Sequence, residues 1–145
     1  MELIIKRFDE LTVDELYEII KLRVDVFVVE QNCPYYDLDD HDQNSIHLFL
    51  RDEDGIEAYL RVLPAGETLD TPAIGRVVVK KRRIGLGTRL VNEGVAVAVK
   101  EFGAREIKLE AQVYARGLYE KCGFVQSSEE FLEDGIPHIQ MTLKL

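Results

Sequence analysis

A strand that turns directly into a helix constrains this chain more than any other feature. Ile74 to Lys80 reads as a strand, with Val77, Val78 and Val79 as an uninterrupted β-branched run. Lys81 to Gly87 is a short basic turn carrying glycines, and Thr88 to Phe102 reads as a helix. Such a turn aims the free N–H groups and the positive dipole end of the helix at one point, and that point takes a phosphate. Arg82 and Arg83 can pair with phosphate oxygens, and Gly85 and Gly87 lack the Cβ that would hold a ligand off the backbone. The P-loop pattern fails, because Thr88 and Arg89 follow Gly87 where Lys and Ser or Thr are needed. The dinucleotide fingerprint fails too, since Leu90 stands where a small residue must follow Gly85-Leu86-Gly87. What remains is Arg82-Arg83-Ile84-Gly85-Leu86-Gly87. By itself it is either a phosphate-binding turn or a solvated basic turn with two conformational glycines.

A second stretch bears on that choice. Ile107 to Ala111 reads as a strand, and Gln112-Val113-Tyr114-Ala115-Arg116-Gly117-Leu118-Tyr119-Glu120-Lys121-Cys122-Gly123-Phe124 follows it. Together the two stretches resemble the GNAT acetyltransferase superfamily. The R-x-x-G-x-G of the first resembles that superfamily's pyrophosphate loop. In the second, Ala115, Tyr119, Gly123 and Phe124 fit the spacing of its Asn, Ala, Tyr-x-x-x-Gly-Phe pattern, with Gln112 in place of the Asn. The segment Arg23-x-x-Val26-Phe27-Val28-x-Glu30-Gln31-Asn32-x-Pro34, with the acidic residues and His47 after it, resembles the ElaA/YjcF-like branch.

The resemblance implies an α/β (α+β) GNAT fold across a single domain, residues 1–145. Its sheet is mixed and mostly antiparallel, with one splayed parallel strand pair and helices on both faces. It implies acetyl-CoA as the acyl-donor cosubstrate, and no metal. The pantetheine arm would pair with the backbone of Val77, Val78 and Val79. The pyrophosphate would sit at Arg82, Arg83, Ile84, Gly85, Leu86, Gly87 and Thr88, with Gln112 at the Asn position. A primary amine of a small molecule or peptide attacks the acetyl carbonyl directly, and Tyr119 protonates the departing thiolate. For the base the resemblance offers Glu30 and His138, with His47 a third candidate. Glu110 lies on the second parallel strand, on a face that alternation leaves undecided. A non-catalytic CoA-binding module, or an acyltransferase with another acceptor or acyl group, stays open beside this reading.

Composition narrows the partners. The 145 residues suffice for one domain burying roughly 70% of its unfolded surface. A net charge of −9 argues against nucleic acid, whose binding rests on neutralised phosphates. Against that background Lys80-Lys81-Arg82-Arg83 reverses the local sign. No apolar run approaches the ~20 residues of a membrane span, and Met1 to Arg7 shows no signal-peptide pattern. Cys33 and Cys122 read as reduced thiols, which suits a cytoplasmic protein. The oligomeric state is not legible, and a homodimer stays open.

The rest of the chain reads in order. Leu3 to Phe8 is a strand, and Thr12 with Glu15 forms a capping box. Leu16, Ile19, Ile20, Arg23, Val24 and Phe27 recur at helical spacing to about Glu30, and Pro34 stops the run. Tyr35 to Ser45 is an acidic connection. It lacks the Gly and Glu of a calcium loop, having Asp42 and Leu48 at those positions. It reads as a solvated loop, or as an acceptor-side loop in which Asp37 to Asp42 attract a cation. Ile46 to Arg51 and Ile56 to Leu63 form a hairpin about Asp52-Glu53-Asp54-Gly55. Val95-Ala96-Val97-Ala98-Val99 alternates like a strand, but length and Gly103 favour helix, and Gly94 allows close packing. A helix over 114–122 and a closing antiparallel pair, Phe124 to Ser127 with His138 to Lys144, complete the chain.

Overall fold

The computed structural model describes residues 1–80 and 85–145. Arg82, Arg83 and Ile84, the basic half of the turn, lie outside the described residues. Thr12 accepts from the Glu15 amide and Glu15 returns the bond, so the capping box starts helix α1 at Val13–Arg23. Strand β1 (Glu2–Arg7) precedes it. Strands β2 (Ile46–Asp52) and β3 (Gly55–Leu63) follow as a hairpin, turned by Gly55 at φ 109°. Next come β4 (Ala73–Val79), helix α2 (Leu86–Phe102), β5 (Glu106–Gln112) and the short helix α3 (Arg116–Lys121). Strands β6 (Val125–Gln126), β7 (Phe131–Glu133) and β8 (Ile136–Lys144) close the chain.

Among the described residues the eight strands form one sheet in the order β1-β2-β3-β4-β5-β8-β6, with β7 also paired to β8. The β4–β5 pair is parallel and the other pairings are antiparallel. Helix α2 makes the crossover between β4 and β5, which two parallel strands require. Alternation splits the core in two. Leu48, Leu50, Leu60 and Val62 join Leu90, Val91 and Ala98 of α2, while Phe49, Tyr59 and Val78 pack with Ile19 of α1. The alternating valines of 95–99 are helical, ended by Gly103 at φ 59°. A Cβ on Gly94 would stand 3.2 Å from Leu60 Cδ1, so the missing side chain lets α2 settle onto the sheet. Among the described residues no helix is long and apolar enough to cross a membrane.

Three local features depart from the sequence reading. Helix α1 does not end cleanly but widens into a π-helical stretch, Val24–Glu30, with Gln31 N–H bonded to Val26 O and Cys33 N–H to Val28 O. The extra residue per turn swings Phe27 and Gln31 to the inner surface described below. The helix expected over 114–122 opens with a 3₁₀ turn at Val113–Ala115. The third concerns Gly87. A Cβ there would lie 3.1 Å from Leu118 Cδ1 and 3.2 Å from Val79 Cγ2, so tight packing between α2, α3 and β4 favours glycine at this position in its own right.

Candidate active site

The site begins where the sheet fails to close. Strands β4 and β5 pair at Ala73 and Lys108, with Lys108 N–H donating to Pro72 O at 3.2 Å. Beyond that point they diverge. Lys80 N–H donates to Glu57 O at 2.7 Å, so Lys80 faces β3. By strand alternation Val77 and Val79 then turn their backbone N–H and C=O groups toward the gap. Val77 lines the gap, Val78 packs with the α1-side core, and Val79 lies against Gly87.

A bulge widens the opening. Tyr59 pairs with Val78 but Arg61 pairs with Gly75, so one residue of β3 spans two of β4. Arg76 sits in the bulge at φ 55°, a left-handed conformation that a non-glycine residue holds only when tied down. Asp37 and Asp39 supply the tie. Arg76 Nε lies 2.9 Å from Asp37 Oδ1, and its Nη2 lies 3.3 Å from Asp39 Oδ2.

Those aspartates belong to a closed network. Arg23 holds Asp37 at 2.9 Å and Asp42 at 2.8 Å, and Arg61 holds Asp42 at 2.8 Å as well as Asp39. Arg23, Asp37 and Arg61 are at most 3% exposed at the side chain. Burial opposes charge on Asp39 and Asp42, but the arginines outweigh it and hold both carboxyls below the usual range. Within the loop Asp37, Asp39 and Asp42 are therefore paired with Arg23, Arg61 and Arg76, while Asp40 stays exposed. His47 is buried behind the network. Its Nδ1 meets the Tyr59 hydroxyl at 2.7 Å and its Nε2 the Asp42 carbonyl at 2.9 Å. Burial pushes its pKa down, so it stays neutral and structural, and it does not reach the gap.

The gap opens into a cavity of about 600 Å³. One wall carries Arg61, Gly75 and Arg76 of the bulged side, and the other carries Glu110, Gln112 and His138. Tyr119 lines it from α3. Its ring meets Phe124 edge-on at 6.3 Å, it is 7% exposed, and among the described residues its hydroxyl forms no hydrogen bond. Burial raises its pKa, so the hydroxyl keeps its proton at neutral pH. The Gln112 and Gln31 amides bond each other reciprocally at 3.2 and 3.1 Å across the cavity. A cofactor contact from Gln112 can use the second amide hydrogen or oxygen lone pair that this pairing leaves free. Glu30 is exposed at the end of the π-helical stretch and does not line the cavity. At the helix end, Gly85 is exposed at φ 69°, Leu86 and Gly87 are buried, and Thr88 is half-buried.

His138 does line the cavity. Its Nδ1 lies 2.7 Å from Ile136 O, which fixes the tautomer and turns Nε2 toward Glu133, 3.5 Å away. Register settles the face that alternation left undecided. Glu110 pairs with Gln140 and Gln112 with His138, so Glu110, Gln112 and His138 rise on one face of the sheet. Glu133 reaches Glu110 from β7. Lost hydration and the neighbouring Glu133 carboxyl push the Glu110 pKa up to about 7.

A mixed sheet opened at its one parallel pair among the described residues, with a crossover helix starting at the gap, is the architecture of an acyltransferase. A family model for the acetyltransferase (GNAT) domain matches residues 23–145, and the chain belongs to that family. A UPF0039 protein of Schizosaccharomyces pombe is 42% identical over 149 residues, covering 100% of this chain and 98% of the relative. The crystal structure of Escherichia coli ElaA matches with a TM-score of 0.91 at 34% identity over 99% of both chains. That of an acyl-CoA N-acyltransferase from Pseudomonas aeruginosa matches with a TM-score of 0.89 at 36% identity, again over 99% of both.

Proposed function

We propose that the protein transfers an acetyl group from acetyl-CoA to a primary amine of a small molecule or peptide by direct attack. The observation that carries this is the β4–β5 gap. Backbone groups of Val77 and Val79 open onto it from one side, and Tyr119, whose hydroxyl has no hydrogen bond among the described residues, lines the same cavity. A pantetheine arm extended along β4 satisfies those backbone groups, and a diphosphate falls at the start of α2, where unpaired N–H groups gather. The Pseudomonas relative is an acyl-CoA N-acyltransferase, which favours nitrogen as the attacked-from atom.

In this reading the thioester carbonyl meets a backbone N–H near the bulge, which stabilises the oxyanion as the amine adds. The C–S bond then breaks, Tyr119 hands its proton to sulfur, and the proton shed by the new amide nitrogen restores the tyrosine. Mass spectrometry of an amine and peptide panel incubated with acetyl-CoA tests the proposal. The expected result is a gain of one acetyl group on at least one primary amine with release of CoA thiol. CoA binding without transfer to any amine would overturn it in favour of a non-catalytic module.

A further inference from the structure

Building on the acyl-transfer reading, we infer that the contacting carboxyls of Glu110 and Glu133 form the site that recognises the acceptor's ammonium group and takes its proton. Charge accounting along the cavity leads there. On the bulged wall Arg61, Arg76 and Asp39 are bound into the closed network, which leaves no uncompensated charge. On the opposite wall Lys108, next outward on β5, is held by Asp70 at 3.0 Å. The other titratable groups facing Glu110 at this end are Tyr114 from the turn after β5, Asp134 from the β7–β8 turn and His138 from β8. Tyr114 and Asp134 supply no cation, and His138 places one ring nitrogen 3.5 Å from Glu133. The Glu110–Glu133 pair therefore sets two carboxyls against at most the one imidazole of His138.

A second observation points to the same place. Tyr119, more than nine-tenths buried and without a hydrogen bond among the described residues, lines this same cavity as a proton donor. A proton acceptor and a proton donor thus share one chamber, as attack by an amine and departure of a thiol demand. Two touching carboxyls resist double ionisation, so they share a proton until a cation arrives. An ammonium placed between them restores the charge balance. The pair then accepts its proton, the free amine attacks, and the pair later returns the proton to water. An ordinary glutamate near 4.5 is a poor match for an amine proton, and the shift to about 7 closes part of that gap. The acceptor class that fits is a primary amine that is cationic in solution.

The test does not need the true acceptor. Protein carrying ¹³C at glutamate side-chain carboxyls is titrated by NMR from pH 4 to 9. n-Butylammonium chloride serves as probe, and n-butanol at matched ionic strength as its neutral counterpart. The resonance missing from Glu110→Gln should titrate near 7, shift with n-butylammonium and ignore n-butanol. In Glu133→Gln its midpoint should return toward the ordinary glutamate range, and the n-butylammonium response should weaken at least tenfold. A wild-type midpoint in the ordinary range, an equal response to n-butanol, or no effect of Glu133→Gln would overturn the inference. Calorimetry with CoA on the same samples decides the acyl-transfer reading separately, so failure of one is not failure of the other.

Discussion

At the residue scale, Tyr119 separates chemistry from packing. Tyr119→Phe keeps the ring against Phe124 and removes only the hydroxyl, so folding and CoA binding should be unchanged. If the hydroxyl protonates the leaving thiolate, kcat should fall ~10²-fold, the low end for a general acid because a thiolate already leaves well near neutral pH. Turnover within twofold of wild type between pH 6 and 9, with chemistry rate-limiting, would retire the assignment. Asp37 makes the opposite kind of prediction. Asp37→Ala removes one of the two carboxylates that hold the buried Arg23 guanidinium, leaving Asp42, and takes one of the ties from Arg76 in the bulge. Breaking a buried ion pair from one side costs up to about 3–5 kcal/mol, a large share of the ~5–15 kcal/mol that holds a domain folded. Urea unfolding should show a correspondingly lower midpoint, and an unchanged one would mean that the network is ornamental. Some of this was legible. Tyr119 and His138 were named from the sequence and both line the cavity. Arg23 already stood among the apolar positions of its helix, a sign of a buried partner. The aspartates carried no such mark, because charge is visible in a sequence and pairing between residues 14 or 19 positions apart is not.

At the element scale, strand and helix boundaries came through because periodicity and capping act locally, over a few residues. Thr12 with Glu15, Gly103 and the Asp52–Gly55 turn each fix an end by short-range hydrogen bonds or a left-handed φ. The π-helical widening at Val24–Glu30 and the bulge at Arg76 stayed hidden, since both arise from contacts made by distant parts of the chain. Gly87 shows how an element-level reason can stand beside a ligand-level one. Gly87→Val pushes a branched side chain into Leu118 and Val79, and overpacking of this kind costs about 1–3 kcal/mol. The loss should appear in urea unfolding with no ligand present. A fully stable Gly87→Val that still fails to bind CoA would instead return the glycine to a role at the phosphates. Gly85 is the better probe of those phosphates, because a Cβ there meets nothing within 4 Å among the described residues and the cost lies in its φ of 69°.

At the scale of the whole molecule, Arg23, Arg61 and Arg76 with Asp37, Asp39 and Asp42 form a cluster of zero net charge, so the excess behind the net −9 lies elsewhere on the chain. Shifted side-chain pKa values shape the stability of the fold against pH, and the contributions have opposite signs. The folded pKa of His47 lies below its ordinary 6.5, so the unfolded chain takes up that proton more readily and stability falls as pH drops below about 6.5. Asp39 and Asp42 add a further loss as pH falls below their ordinary 3.8. Glu110 works the other way. Its folded pKa is raised, so between 4.5 and about 7 the folded chain holds a proton that the unfolded chain has released, and stability declines as pH rises through that window. Glu110→Gln removes this one contribution and leaves the others. The difference in melting temperature, variant minus wild type, should be near zero at pH 4, grow through the window from 4.5 to 7, and level off as a net stabilisation at pH 8. Glutamine preserves shape, so a constant offset across pH would report packing alone. A difference that is flat, or largest at pH 4, would show that Glu110 feels neither lost hydration nor the Glu133 carboxyl, and the proton-accepting pair would fall with it.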